Sequence, residues 1–315
     1  MNLEEFAGII TEKLQEKAGS GYQVERRMAV RNNQVMKMAV GAGNGTGPFM
    51  TLTGIEPYYM EYLHGNMDVE EAVEDICRVL GLDGGDRDPG MEAETLYDYR
   101  KIKDRIIFRL VSREKNLDML QDVPHIPFLD LAVEFQLLLG ENGWGQKAVM
   151  VDWELCRKWQ ADPRDLMDQA ARNMLRLCPP AIVPVQERIK EILETCSMAE
   201  KVRKEQYDRM EKMKKRIPLY ILSNQREIHG ASAILYPGVL KKYADMLGRD
   251  LIILPSSIHE VLLVPSDEGI HVCALRKMVQ QINASGVLPE ERLSDQVYLY
   301  QRGAARIVMA GESTD

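Results

Sequence analysis

The chain has 315 residues, 45% hydrophobic and 28% charged, a composition too apolar for general disorder and a length that leaves room for two or three cores. A formal charge of −8 disfavours non-specific contact with phosphate backbones, so nucleic acid is not an expected partner. Apolar runs such as Leu137–Leu139 and Leu251–Leu254 fall far short of the roughly 20 residues of a membrane helix, so no membrane span is expected.

The N-terminus reads MNLEEFAGII, acidic where a secretory signal is basic, and export by that route is not expected. Five cysteines (Cys77, Cys156, Cys178, Cys196, Cys273) lie far apart with no CxxC pair, so neither a disulfide framework nor a metal site is expected, and no cofactor motif is present. Scattered thiols beside 18 methionines fit a reducing, cytoplasmic compartment.

In chain order, Leu3, Phe6, Ile10 and Leu14 recur at helical spacing, and the helix needs a surface to pack on. Tyr22, Val24, Met28 and Val30 alternate with polar residues, and Asn32-Asn33 offers a turn before Val35 to Val40, so a hairpin supplies that surface. The run GAGNGTGP at 41–48 lacks the GxGxxG or GK[ST] of a nucleotide loop and leads into a strand pattern at Phe49 to Thr53, which makes it a connection between strands. Helices are predicted at Pro57–His64 and at Val69–Leu80, the second opened by Asp68 and Glu71 in a capping box. LDGGDRDPGME at 82–92 breaks all periodicity and reads as a boundary. A helix is expected to reopen near Thr95 with Tyr99, Ile102, Ile106 and Leu110 on one face.

The clearest strand signal follows. Leu129, Leu131, Val133, Phe135 and Leu137 alternate with Asp130, Ala132, Glu134 and Gln136, and Asn142-Gly143 supplies turn chemistry before Ala148 to Val151. This predicts an antiparallel hairpin buried on one face. Asp162-Pro163 opens a helix that Pro179-Pro180 stops. From Gln186 to Arg216 a charged stretch predicts one long or broken helix between two modules. Beyond it, Leu219–Leu222 is expected to pair with Ala231–Tyr236, and Leu251–Leu254 with Val261–Val264. Helices are expected at Pro237–Leu247 and Val272–Ala284, with closing strands at Val297–Tyr300 and Arg306–Met309. Short loops between paired runs favour antiparallel pairing, hence an α+β fold of hairpins alternating with helices in more than one subdomain. The divisions are an N-terminal α+β subdomain (1–82), a central hairpin-plus-helices module (93–184), a charged linker helix (185–217) and a C-terminal α+β module (218–315).

Several segments resemble an uncharacterised bacterial family defined only as a domain of unknown function, found chiefly in anaerobic gut-type bacteria. They are EPYYMEYLHGN (56–66), KIKDRIIFRLVSREKN (101–116), DVPHIPFLDLAVEFQLLL (122–139), PLYILSNQREIHGASAILYPGVL (218–240), DLIILPSSIHEVLLVP (250–265) and LSDQVYLYQR (293–302). The resemblance covers most of the chain in order and implies no activity. The charged stretch 186–216 is the least similar, so its basic patch is expected to be particular to this chain.

The best chemical constellation is PSSIHEV at 255–261, where Ser256, Ser257, His259 and Glu260 share a tight turn between two apolar strands. It lacks both the GxSxG elbow of a serine hydrolase and the second histidine of HExxH, and turn chemistry alone also accounts for its proline and serines. His125 between Pro124 and Pro127, and Asn224 and Asp295 at strand boundaries, either converge with His259 or serve local turns. His64 and His229 precede glycines and mark element ends, and His271 opens a helix. Glu70-Glu71 and Glu290-Glu291 sit at predicted helix starts, where they complement the dipole.

Three functions follow in order. The first is a non-catalytic interaction or adaptor protein whose hairpins present surfaces to a protein partner. The second is a hydrolase or other small-molecule enzyme using Ser257, His259 and Glu260 in a cleft shared with Asn224, His125 or Asp295. The third is nucleic-acid contact through the basic segment 201–216, which carries Lys212, Lys214, Lys215 and Arg216.

Overall fold

The computed structural model describes residues 1–43, 51–82, 93–142, 145–195, 218–267 and 269–311. Most of the glycine run at 41–48, most of the boundary at 82–92, the 142–143 turn beyond Asn142 and the charged stretch from Cys196 to Ile217 lie outside them, and with that stretch Lys212, Lys214, Lys215 and Arg216. The architecture is α+β, with helices set against three antiparallel sheets.

In the N-terminal part, the Asn2 side chain accepts the Glu5 amide while the Glu5 carboxylate accepts that of Asn2, a capping box that opens α1 (Leu3–Ala18). Phe6, Ala7, Ile10 and Leu14 bury one face of α1 against the sheet β1 (Gln23–Val30), β2 (Met36–Gly43), β3 (Thr51–Gly54). Helices α2 (Glu56–Leu63) and α3 (Val69–Leu80) close that core through Tyr58, Ala72, Val73 and Ile76. The expected packing of the β1 apolar residues on α1 holds only for its start. Val24 joins the core, but Met28 is 50% and Val30 64% exposed. Arg26 already donates to the carbonyl of Glu4 at the first turn of α1, so the β1–β2 ribbon beyond it has run past the helix.

The free end of the ribbon is pinned elsewhere. Its 3₁₀ turn Asn32–Gln34 holds Asn33 and Gln34 at φ 58°, a left-handed conformation that asparagine tolerates well. The Asn33 amide donates to the Asn116 side chain, which donates back, and Asn33 Nδ2 donates to the carbonyls of Pro289 and Arg292. Asn32 Nδ2 donates to the carbonyl of Glu290, whose carboxylate pairs with Lys37 at 3.1 Å.

The central part comprises α4 (Ala93–Tyr97), α5 (Tyr99–Ile102), β4 (Ile106–Ser112), α6 (Leu117–Asp122), β5 (His125–Phe128), β6 (Leu131–Asn142), β7 (Gly145–Met150), α7 (Trp153–Trp159) and α8 (Pro163–Leu177). The single helix expected from Thr95 through Leu110 is corrected here, since Ile106 to Ser112 form a strand paired with Leu131 to Leu137 of β6. Ile106–Phe108 and Leu110–Val111 are buried on both faces, and a short continuous apolar run is ambiguous between strand and helix until its partner is known. On β6 the odd residues Leu131, Val133, Phe135 and Leu137 enter the main core, as the alternation predicts, but Ala132, Glu134 and Gln136 are buried as well, so the strand is covered on both faces and not on one.

The third sheet is antiparallel throughout, in the order β13-β12-β10-β11-β9-β8. Its strands are β8 (Pro180–Pro184), β9 (Tyr220–Asn224), β10 (Leu251–Leu254), β11 (Val261–Pro265), β12 (Tyr298–Gln301) and β13 (Arg306–Met309). Its helices are α9 (Val185–Thr195), α10 (Val239–Leu247) and α11 (Val272–Gly286). Ala231–Tyr236 is not the strand expected beside Leu219–Leu222. Residues Gly230–Leu235 form a 3₁₀ segment that sends Ala231, Ala233 and Ile234 into the core, and β9 pairs instead with β8 and β11. Strand β8 was hidden by the prolines at both its ends, which an edge strand accommodates.

One buried apolar cluster spans the central and third sheets, with Phe108 edge-on to Tyr236 at 6.0 Å. Asp130 reinforces the junction by accepting from Ser294 and Tyr298, each at 2.6 Å. Among the described residues no helix is long and apolar enough to cross a membrane. Cys77, Cys156 and Cys178 are buried, Cys273 is exposed, and Cys196 lies outside the described residues.

The ribbon tip should matter to stability. Asn33→Ala removes the side-chain hydrogen bonds and should cost about 2–4 kcal/mol in urea unfolding. Asn33→Gly, which keeps the left-handed backbone without strain, should recover about 1 kcal/mol of that loss.

Candidate functional site: a cleft floored by a buried charge pair

Antiparallel register sets Arg109 on β4 opposite Glu134 on β6, and Glu134 opposite His125 on β5, so these three residues share one row and one face of the central sheet. Gln136, two residues along β6, lies on the same face. Arg109 Nε and Gln136 Nε2 both donate to Glu134 Oε1, the latter at 3.3 Å. Glu134 is 0% exposed, and among the described residues its Oε2 has no hydrogen-bond partner. The Arg109 guanidinium is what makes a buried carboxylate tolerable here.

Above this floor is a cleft of about 800 Å³. One wall is the ribbon, through Val30, Arg31 and Met36. The other is formed by Asp118, Met119 and Asp122 of α6 with Ala148 and Met150 of β7. The lining is mixed: Val30, Met36, Met119, Ala148 and Met150 supply its apolar surface, Asn32, Gln34 and Asn116 are polar, and Arg31, Asp118 and Asp122 are exposed charges on the rim.

A second set of groups continues from Arg109 away from the cleft. Its NH1 donates to His229 Nε2 at 3.4 Å, which leaves the proton of that ring on Nδ1. The His229 ring stacks on that of His259, with centroids 5.7 Å apart and planes at 12°. The His229 amide donates to His259 Nδ1 at 3.3 Å, so His259 carries its proton on Nε2, which faces Glu291 at 3.7 Å. Burial first, then the Arg109 charge and then His259, hold the His229 ring well below the usual imidazole range. The result is a linear series Glu134–Arg109–His229–His259–Glu291.

Backbone geometry fixes this series. His229 is left-handed, at φ 51°. At Gly230 an added Cβ would stand 2.1 Å from Ser223 Oγ, 2.5 Å from the His259 carbonyl oxygen and 2.7 Å from the Asn224 amide. Only glycine lets the 229–230 segment press so closely on β9 and the 255–260 turn.

Of the residues singled out in the sequence, Ser257, His259 and Asn224 meet around this segment, in local roles. Ser257 Oγ accepts the amide of His259 at 3.0 Å. Asn224 Nδ2 donates to the Ile228 carbonyl, and its Oδ1 accepts the Arg226 amide, closing the loop that leads to His229. Glu260 is exposed and has Arg188 and Glu227 among its charged neighbours. His125 lies in the Glu134 row, with Nδ1 donating to the Val123 carbonyl at 3.1 Å. Asp295 accepts from Asn283 of α11 at 2.6 Å. Among the described residues no three His, Cys, Asp or Glu side chains are grouped to hold a metal ion.

Sequence reasoning missed Arg109, Glu134 and Gln136 as site residues, took His229 for an element end and took Glu291 for a helix start. One signal was available: Arg109 interrupts the apolar run Ile106 to Val111, and a charge inside a buried strand demands a partner.

Two outcomes follow. Gly230→Ala should lower stability by about 3 kcal/mol or more, because two of the three atoms met are backbone, whereas Gly286→Ala, with open space around it, should change stability by less than about 0.5 kcal/mol. His229 is neutral in the fold, while in the unfolded chain it takes up a proton below the ordinary 6.5. Its contribution to stability is therefore complete above pH 6.5 and declines as pH falls from there toward the depressed folded value, with a slope of up to about 1.4 kcal/mol per pH unit. Urea unfolding of His229→Gln should lack that slope.

Neither a curated protein nor a solved structure matches the chain. A family model matches residues 3–302, nearly the whole length, and on that ground the chain belongs to the family of unknown function DUF5688.

Proposed function

We propose that the protein acts by binding, as an adaptor that receives a segment of a protein partner in the cleft between the N-terminal ribbon and the central sheet. The observation that carries this reading is the pair of exposed apolar side chains on the ribbon wall, Val30 at 64% and Met36 at 51%, facing Met119 and Met150 across the cleft. Methionine walls adapt to varied side chains. The asparagine contacts at the tip hold the ribbon in place before any partner arrives, which reduces the entropy cost of binding. We place the protein in the cytoplasm, on its scattered and mostly buried cysteines.

The competing hydrolase reading draws support from the His229–His259 stack beside Glu291. It is weakened by Ser257, whose oxygen is engaged by the His259 amide in the manner of a turn-capping hydroxyl.

The test is selection of dodecapeptides from a display library on the full-length protein. Enriched peptides should bind the wild type and lose at least tenfold on Val30→Asp/Met36→Asp, whose unfolding midpoint should barely change because both positions are exposed. Absence of enrichment, or equal binding to the double variant, would sink the reading. Esterase or amidase turnover that disappears in Ser257→Ala would favour the hydrolase instead.

A further inference from the structure

We infer that the occupant of this cleft is anchored by a long cationic side chain, lysine or arginine, whose head group donates to Glu134 Oε2 while its aliphatic stem lies along Met36, Met119 and Met150. The inference rests on the binding reading above and names the chemistry of the partner segment.

Three observations carry it. Glu134 is completely buried, yet its two oxygens are served unequally: Oε1 takes Arg109 Nε and Gln136 Nε2, and Oε2 takes no donor from the described residues. A buried carboxylate oxygen without a donor is costly, so the site is built to gain one. Glu134 does not itself line the cleft, but Arg109 and Gln136, which flank it on the same sheet face and both donate to its Oε1, do, so the cation reaches Oε2 by entering between them. Charge favours a cation. Arg109 is already committed to Glu134 and His229, and the exposed rim adds Asp118 and Asp122 against Arg31. The walls select an organic cation over a hydrated ion, since a lysine or arginine stem covers apolar surface while its head reaches a polar group. An anionic anchor would meet Asp118 and Asp122 on the rim and Glu134 beneath the floor, and a purely apolar one would leave Oε2 without a donor.

The probe is the most enriched dodecapeptide from the selection, compared with a copy whose basic residue is replaced by norleucine, by fluorescence anisotropy on the full chain. The norleucine copy should bind at least tenfold more weakly. Asp118→Asn/Asp122→Asn should weaken the basic peptide severalfold and flatten its salt dependence, leaving the norleucine copy unaffected. Glu134→Gln should bring the two peptides to equal affinity. If that variant does not fold, the norleucine comparison and the rim variant decide alone. Equal binding of both peptides to the wild type means that water satisfies Oε2, and overturns the inference. Enriched peptides that carry no basic residue, yet depend on Val30 and Met36, also overturn it while leaving the adaptor reading intact. Failure of any peptide to enrich removes both.

Discussion

The arrangement depends on one charge pair taken out of water. Desolvating an ionised carboxylate costs several kcal/mol, and Glu134 is fully buried on the face of β6 opposite the main core. Arg109 offsets this only because register sets it directly across the strand pair, where its Nε reaches Oε1. The pair in turn dictates what covers that face. The guanidinium needs a second acceptor, which His229 supplies, and His229 can be there only because Gly230 admits contact that no other residue would. A buried ion pair is poor evidence of added stability. Its value lies in specifying which segments meet above it.

Local rules recovered much of the fold. Capping boxes at Asp68 and Asp162, the proline at 163 and the glycine at 248 set helix ends where the side chains say they should be. Alternation on β6 correctly separated the core-facing residues from the others. What failed was partnership. Ile106 to Leu110 carries a spacing compatible with a helix stripe and becomes a strand because β6 offers it a ladder. Ala231 to Tyr236 has strand composition and becomes a 3₁₀ segment because the close approach at Gly230 and the pairing of β8 with β9 leave it no edge. Met28 and Val30 follow a strand period on a ribbon that outruns the helix meant to cover it.

The site was less legible for a related reason. Glu134 and Gln136 occupy the positions that alternation assigns to solvent, and that face is covered partly by nearby α6 and β7 and partly by the ribbon and His229, each about 100 residues away along the chain. The residues that looked chemical, Ser257 and Asn224, are short polar groups next to turns. There their first use is to satisfy backbone amides and carbonyls nearby, which is how the structure uses them. His259 was the one such residue that joins the charged series, and its partner His229 carried no distinguishing sequence context beyond the glycine that follows it.

The cleft and the histidine series are parts of one circuit. Asn32, Asn33 and Lys37 of the ribbon are tied to the short segment Pro289–Arg292, and that segment carries Glu291 to His259. From His259 the contacts pass through His229 and Arg109 to Glu134 under the cleft whose outer wall is the ribbon itself. The position of the wall and the geometry of the floor are therefore tied to the same few polar and ring contacts. Met36 and Met150 line opposite walls, and apolar side chains alone would leave the gap between them adjustable. The polar circuit fixes its width, and any group that neutralises or engages Glu134 alters the pull of Arg109 on His229.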